Sequence, residues 1–246
     1  MASTAASAPR ALAFDIETYG PWAAVPPRLQ EYLQRRDAQR GIAPDDPKAA
    51  PRAVGLMPGL AQVVAIGLWT EAGAQALSLA PGVGDAEQQG QLPNGAGTLL
   101  RFGDEAALLR RFWALAAEAV AAGTRLVSFN GRGFDGPVLA LRSSVLGVRP
   151  TVQLVGKPYL LRPHCDVDQL LTFFGARRER LSLDYWCGVY GVPSPKQGLD
   201  GAGVGPAFER GEHDAIAGYA LADAEATGRL FHKLEATLLP LMELDP

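Results

Sequence analysis

The hydrophobic pattern of this chain divides it into short apolar runs and longer stretches of helical period. Ala11-Leu12-Ala13-Phe14 opens a run that predicts a first strand over about Ala11 to Thr18. Ala61 to Thr70 (AQVVAIGLWT) and Ala74 to Leu79 predict the next strands of a meander, joined by a turn at Glu71-Ala72-Gly73, and Thr98 to Phe102 predicts a short extra strand. The period then changes. Leu108, Leu109, Phe112, Trp113, Leu115, Ala116, Ala119 and Val120 recur at helical spacing between Asp104, a capping residue, and Gly123, which stands where a C-terminal cap belongs. Leu126 to Phe129 reads as a buried strand, and Asn130-Gly131-Arg132-Gly133 turns from it into a helix from near Asp135 to near Gly147. Periodicity is weak beyond Pro150 until His164-Cys165-Asp166-Val167-Asp168, which leads into an apolar helix through Phe174; further helices are predicted for Leu183 to Tyr190 and His213 to about Leu239.

Proline, glycine and polar residues mark what lies between. Residues 20–60 and 81–97 read as loop insertions, the first containing a short helix over Arg28 to Arg36 with Leu29, Tyr32 and Leu33 on one side and basic residues on the other. The stretch from Gly41 to Gly59 is long for a loop inside a compact domain, which makes it a functional flap or a solvated insertion. Gly191 to Gly205 reads as a loop, and residues 1–9 as a disordered N-terminus.

Composition narrows the picture. At 246 residues, 48% hydrophobic, the chain is long enough for one substantial core, and we read residues 1–246 as a single domain. A formal net charge of −3 argues against a protein that coats nucleic acid by charge alone, although a local basic face or a bound metal still serves a phosphate substrate. Cys165 and Cys187 have no CxxC spacing, so buried free thiols are expected rather than a disulfide framework or a zinc knuckle. No stretch approaches a membrane span and the opening residues do not form a secretory signal, so a cytoplasmic location without a membrane partner is expected.

The candidate chemistry begins with Asp15-Ile16-Glu17. Residues two apart on a strand share a face, so these carboxylates would be neighbours, and like charges that close raise a pKa unless a cation neutralises them. Asp135 follows a buried strand in the same way, although an Asp at a helix start is also favoured as a plain cap. Tyr219 and Asp223 lie four apart, one helical turn, which suits a shared site or a merely solvated face.

Taken together, Asp15-x-Glu17 after an apolar strand, Asn130-x-x-x-Phe134-Asp135, and Tyr219-x-x-x-Asp223 in a late helix resemble the three motifs of the DEDD superfamily of 3'-5' exonucleases. More narrowly the chain resembles the stand-alone predicted exonucleases related to the exonuclease domain of family B DNA polymerases, through Phe14 to Thr18, Phe129 to Leu139, His164-Cys165-Asp166 and Ser182-Leu183-Asp184. Gly218 stands where the histidine branch carries its His, and His213 is too far upstream to replace it, so Tyr219 indicates the tyrosine branch.

The resemblance implies an α/β, ribonuclease H-like fold, a mixed central sheet flanked by helices, and two divalent cations, Mg²⁺ or Mn²⁺. It implies that Asp15, Glu17, Asp135 and Asp223 are metal ligands, that Tyr219 orients the attacking water, and that nucleoside 5'-monophosphates are released from 3' ends. Single-stranded DNA is the favoured substrate; an exoribonuclease, or a silent nucleic-acid-binding module of the same fold, is the alternative. No obligate protein partner is indicated.

Weaker candidates remain. Asn130, Phe134, Arg132 and Lys196 are candidate substrate contacts, with Phe134 better suited to the core and the two cations more commonly plain solvated residues. Trp22 and Tyr19 offer rings for base stacking. His164, Asp166 and Asp168 have a spacing compatible with a metal, but helix capping is the preferred reading for the acids, and no separate zinc site is expected.

Overall fold

Alternation on the first strand organises the fold. In β1 (Ala11–Tyr19) Phe14 and Ile16 are buried on one face, while Ala13, Asp15 and Glu17 occupy the other. A computed structural model of the chain describes residues 10–84, 87–92, 95–195 and 199–243. β1 pairs antiparallel with β2 (Gln62–Thr70), and β2 with β3 (Gly73–Leu79), which is the predicted meander. β4 (Gln88–Gln91) and β5 (Thr98–Phe102) extend one side. β6 (Arg125–Ser128) and β7 (His164–Asp166) run parallel to β1 on the other. Among the described residues this makes a mixed seven-stranded sheet in the order β4-β5-β3-β2-β1-β6-β7.

Helices cover both faces. α3 (Glu105–Ala121) starts where the Asp104 side chain accepts the Ala107 N–H, and ends before Gly123 in the left-handed region at φ 81°. It packs Phe112 against Phe14 with ring centroids 5.6 Å apart, and Trp113 Nε1 donates to Ser143 Oγ of α4 (Asp135–Val145) at 2.8 Å. The opposite face is covered by α8 (His213–Glu235), whose buried side is largely Ala, Ile, Leu and Gly. A bidentate pair from Arg101 on β5 to Asp214, at 2.9 and 2.6 Å, anchors its start.

Several elements differ from the sequence reading. The stretch 20–60 is more ordered than a loop: it holds α1 (Pro27–Gln39), α2 (Ala50–Ala53) and short 3-10 turns around a small cluster of Val25, Leu33, Ala50 and Val54. Buried Asp37 ties α1 to α2 by accepting the Ala50 N–H at 2.6 Å, whereas Leu29 and Tyr32 are exposed. The stretch 81–97 contains β4, a polar edge strand with no apolar alternation to reveal it. α5 (Val167–Leu171) stops short of Phe174 because Phe173 and Phe174 take left-handed φ values of 51° and 54°. The predicted helix over Leu183 to Tyr190 is α6. The loop expected through Gly205 gives way to α7 (Val204–Glu209), and α8 ends at Glu235 before a separate α9 (Leu238–Met242). The expected disordered N-terminus, residues 1–9, lies outside the described residues. Both cysteines are buried free thiols, and no described helix is long and apolar enough to cross a membrane.

Candidate active site

Asp15 and Glu17 face α8, and glycine sets how closely that helix approaches. Gly67 stands opposite Asp15 in the β1–β2 register, and a Cβ there would lie 2.2 Å from the Ala220 carbonyl oxygen. Gly228 makes a second close approach, where a Cβ would lie 2.3 Å from the Trp69 ring and 3.1 Å from Ala13 Cβ. These contacts seat α8 directly on β1 and β2. In consequence, oxygens of Asp15, Glu17 and Asp223 lie within 4.8 Å of one another.

The fourth acid enters from the side. β6 pairs with β1 only as far as Ala13 opposite Val127, and the chain then leaves the sheet at Asn130, whose φ is 61°. Asp135, the first residue of α4, uses the edge of β1 thus left open: its carboxylate accepts the Ile16 N–H. It is the first residue of α4 rather than the cap, a position held by Phe134.

The four acids strain one another electrostatically. Burial, then the charges of Asp135, Glu17 and Asp223, hold the Asp15 carboxyl well above the usual carboxylate range. Burial followed by Asp223 and Asp135 pushes Glu17 the same way. Asp135 is pushed up to about 7, chiefly by burial, although N–H donors from its own residue and from Ile16 pull against the shift. Tyr219 bonds to Asp223, and burial followed by the charges of Asp223, Glu17 and Asp15 pushes its phenol up. A half-buried set of oxygens in mutual repulsion fits a hard divalent cation, which neutralises the charge and accepts carboxylate oxygen.

The turn carrying Asp135 is held by Asp166. That carboxylate accepts the N–H groups of Asn130 at 2.9 Å, Arg132 at 3.0 Å and Asp168 at 3.0 Å, and it caps α5. The capping reading of Asp166 therefore holds, extended to a second loop. Asp168 pairs with Arg180 at 2.8 Å. His164 is buried between Ser128 Oγ at 2.7 Å from Nε2 and the Leu154 carbonyl at 2.5 Å from Nδ1, and burial lowers its pKa to about 4. The neutral ring donates from Nδ1 to the carbonyl and accepts the Ser128 hydroxyl, so it is a structural bridge. Gly131 makes room for that bridge, since a Cβ there would meet Ser128 Oγ at 2.0 Å.

The expected substrate contacts are placed unevenly. Asn130 lies in the turn, with Oδ1 buried and without a hydrogen-bond partner among the described residues. Arg132 is buried and binds Gln169 Oε1 at 3.1 Å and the carbonyls of Leu160 and His164, so its guanidinium fastens the loop instead of reaching into solvent. Phe134 packs against the main core. Tyr19 donates to Glu209 at 2.8 Å and lies against the Phe208 ring, and Trp22 joins the small cluster of the 20–60 insertion, so both rings are engaged within the protein. Lys196 lies outside the described residues. Sequence reasoning missed Gly67 as a seat for α8 and Asp166 as the anchor of the 130–132 turn. An isolated glycine inside a strand pattern was the available signal for the first.

Comparison with known proteins bears on the family and the fold. Residues 60–238 match a family described as predicted 3'-5' exonucleases related to the exonuclease domain of PolB; the match takes in Asp135, Tyr219 and Asp223 and begins after Asp15 and Glu17. Among solved structures, the family B DNA polymerase from the hyperthermophilic archaeon Pyrobaculum calidifontis is similar, with a TM-score of 0.56 and 20% identity over 92% of this chain. The chain spans 24% of that polymerase, and the likeness shows the fold: the expected α/β, ribonuclease H-like arrangement is the one found. No curated protein matches the chain.

Proposed function

The chain belongs to the predicted 3'-5' exonucleases related to the exonuclease domain of PolB, and from that premise we propose that it removes nucleotides from the 3' end of single-stranded DNA, releasing nucleoside 5'-monophosphates. The observation that carries this reading is the meeting of Asp15, Glu17 and Asp223, from opposite ends of the chain, within 4.8 Å. Carboxylates held that close weaken an ion-free fold, so their convergence calls for a cation.

In this reading Asp15, Glu17, Asp135 and Asp223 would hold two divalent ions, Mg²⁺ or Mn²⁺. Bound there, the ions would supply Lewis-acid stabilisation of the attacking and leaving oxygens of an in-line displacement. The chain's own groups position the reactants. The Tyr219 phenol, pushed up by burial and by its acidic neighbours, keeps its proton at working pH. In this reading it orients water by hydrogen bonding and does not act as a base. Asn130, in the turn that leads to Asp135, stays the candidate contact for the terminal nucleotide. Asp166 keeps Asp135 in place through the 130–132 turn.

The test is a 5'-labelled oligonucleotide, as DNA and as RNA, incubated with Mg²⁺, Mn²⁺ or EDTA. The expected result is a metal-dependent ladder shortening from the 3' end of DNA, absent with Asp15→Ala. Preference for RNA would move the assignment to an exoribonuclease, and no cleavage of either polymer with any metal would refute the reading.

A further inference from the structure

We infer that the surface made by residues 155–160 and 173–180 is a track for the single-stranded body of a nucleic acid whose 3' end lies at the carboxylate site. The direction of the strand rests on the exonuclease reading; the binding itself does not.

The track begins at the active-site loop. β1, β6 and β7 are parallel, so the Asn130–Asp135 turn and the start of α5 emerge at the same edge of the sheet. At that edge Arg132 and Gln169, hydrogen-bonded at 3.1 Å, line a hollow of about 210 Å³ walled by Pro158, Tyr159 and Phe174. A second hollow of about 360 Å³ shares Gln169 and Phe174 with the first and continues to Arg177, Arg178 and Arg180.

Rings at one end give way to cations at the other. Tyr159 is 68% exposed and Phe173 47% exposed, an arrangement that leaves large apolar area in water unless something covers it. Tyr159 meets Phe174 edge-on with centroids 5.0 Å apart. Tyr159, Phe173 and Phe174 all have left-handed backbones, with φ of 68°, 51° and 54°, a conformation that bulky L residues rarely adopt and that concentrates at functional loops. Between Phe173 and Arg180 the chain carries Arg177, Arg178 and Arg180 against one acid, Glu179, although its net charge is −3. Arg177 pairs with Glu179 at 3.2 Å and lies over the Trp186 ring, and Arg180 pairs with Asp168. Arg178 is exposed and has no ion pair among the described residues.

A polymer with one phosphate and one flat face per unit matches this pairing of rings with cations, since unstacked bases lie on exposed rings while cations follow the backbone. A duplex keeps its bases stacked, and an acidic peptide without aromatic residues has no flat face for Tyr159 and Phe173.

The test is fluorescence anisotropy of a labelled twelve-residue oligothymidylate in EDTA, which separates binding from cleavage. Tyr159→Ala and Arg178→Glu are each expected to weaken binding about tenfold, the scale of one base-stacking or phosphate contact. Arg110→Glu, the same charge change on the exposed side of α3, is expected to leave it unaltered. The wild type is expected to prefer the twelve-mer to a trimer, and the double variant to lose that preference while retaining its circular dichroism spectrum. If the double variant keeps wild-type affinity, or hexaglutamate displaces the oligonucleotide at equal concentration, the inference is overturned. A wild type that binds in this manner yet cleaves nothing would refute the exonuclease reading and leave the track standing; cleavage with unaltered binding in the variants would do the reverse.

Discussion

Two sets of buried and half-buried acids lie at one edge of the sheet and are treated in opposite ways. Asp166 is buried, and burial raises its pKa, but N–H groups of Arg132, Asn130 and Gln169 pull it back, so its charge is answered by donors from the fold. Asp15 is raised by burial and then by three other carboxylates, Asp135, Glu17 and Asp223. A carboxylate enclosed by N–H donors stabilises the chain that surrounds it, whereas carboxylates enclosed by one another need something the chain does not supply. The difference separates an acid that holds a loop from acids that await a ligand.

The largest test of this contrast is Asp15→Asn. We expect at least about a thousandfold loss of exonuclease turnover, because charge stabilisation at the reacting phosphate is the main contribution of such a site. The same change should raise the melting temperature of the ion-free protein at pH 8. The sign follows from linkage: the folded pKa of Asp15 lies above its unfolded value, so the destabilisation sets in as pH rises past the unfolded value and is complete above the folded one. Differential scanning calorimetry in EDTA at pH 5 and pH 8 checks it, and a lower melting temperature for the variant at pH 8 would contradict the contrast.

Gly67→Ala tests the seat of α8. With a Cβ placed 2.2 Å from the Ala220 carbonyl, the helix must shift, carrying Tyr219 and Asp223 away from Asp15. About a hundredfold loss of turnover is expected from such misplacement, together with a lower melting temperature. Smaller in its effect on turnover should be Tyr219→Phe, about tenfold, since the phenol orients water and does not take its proton.

Asp166→Ala should act mainly on stability, losing about 2 to 3 kcal/mol because the N–H groups of Asn130, Arg132 and Asp168 lose their acceptor. The loss should be the same in EDTA and in Mn²⁺, measured by urea denaturation. A loss that appeared only with metal would make Asp166 a ligand and dissolve the distinction between the two sets.

Much of this was legible before any coordinates. Asp15-x-Glu17 could be paired because strand period fixes their face, and α3 could be bounded because Asp104 and Gly123 are both local signals. Tyr219 and Asp223 were legible through the resemblance, since helical spacing alone suited a shared site and a solvated face equally. What was hidden depends on contacts distant in sequence. Arg132 is engaged by Leu160, His164 and Gln169, between 28 and 37 residues away, so a basic residue in a glycine loop looked free when it was not. β4 is polar and exposed, and the left-handed turn at Phe173 and Phe174 ends α5 where apolar residues continue the helical pattern.

The most direct measurement is manganese anomalous scattering from crystals grown with Mn²⁺. The account predicts a peak bounded by oxygens of Asp15, Glu17 and Asp223, with Asp135 at a second peak beside it. Peaks elsewhere on the surface, with Asp15, Glu17 and Asp223 bearing none, would contradict it.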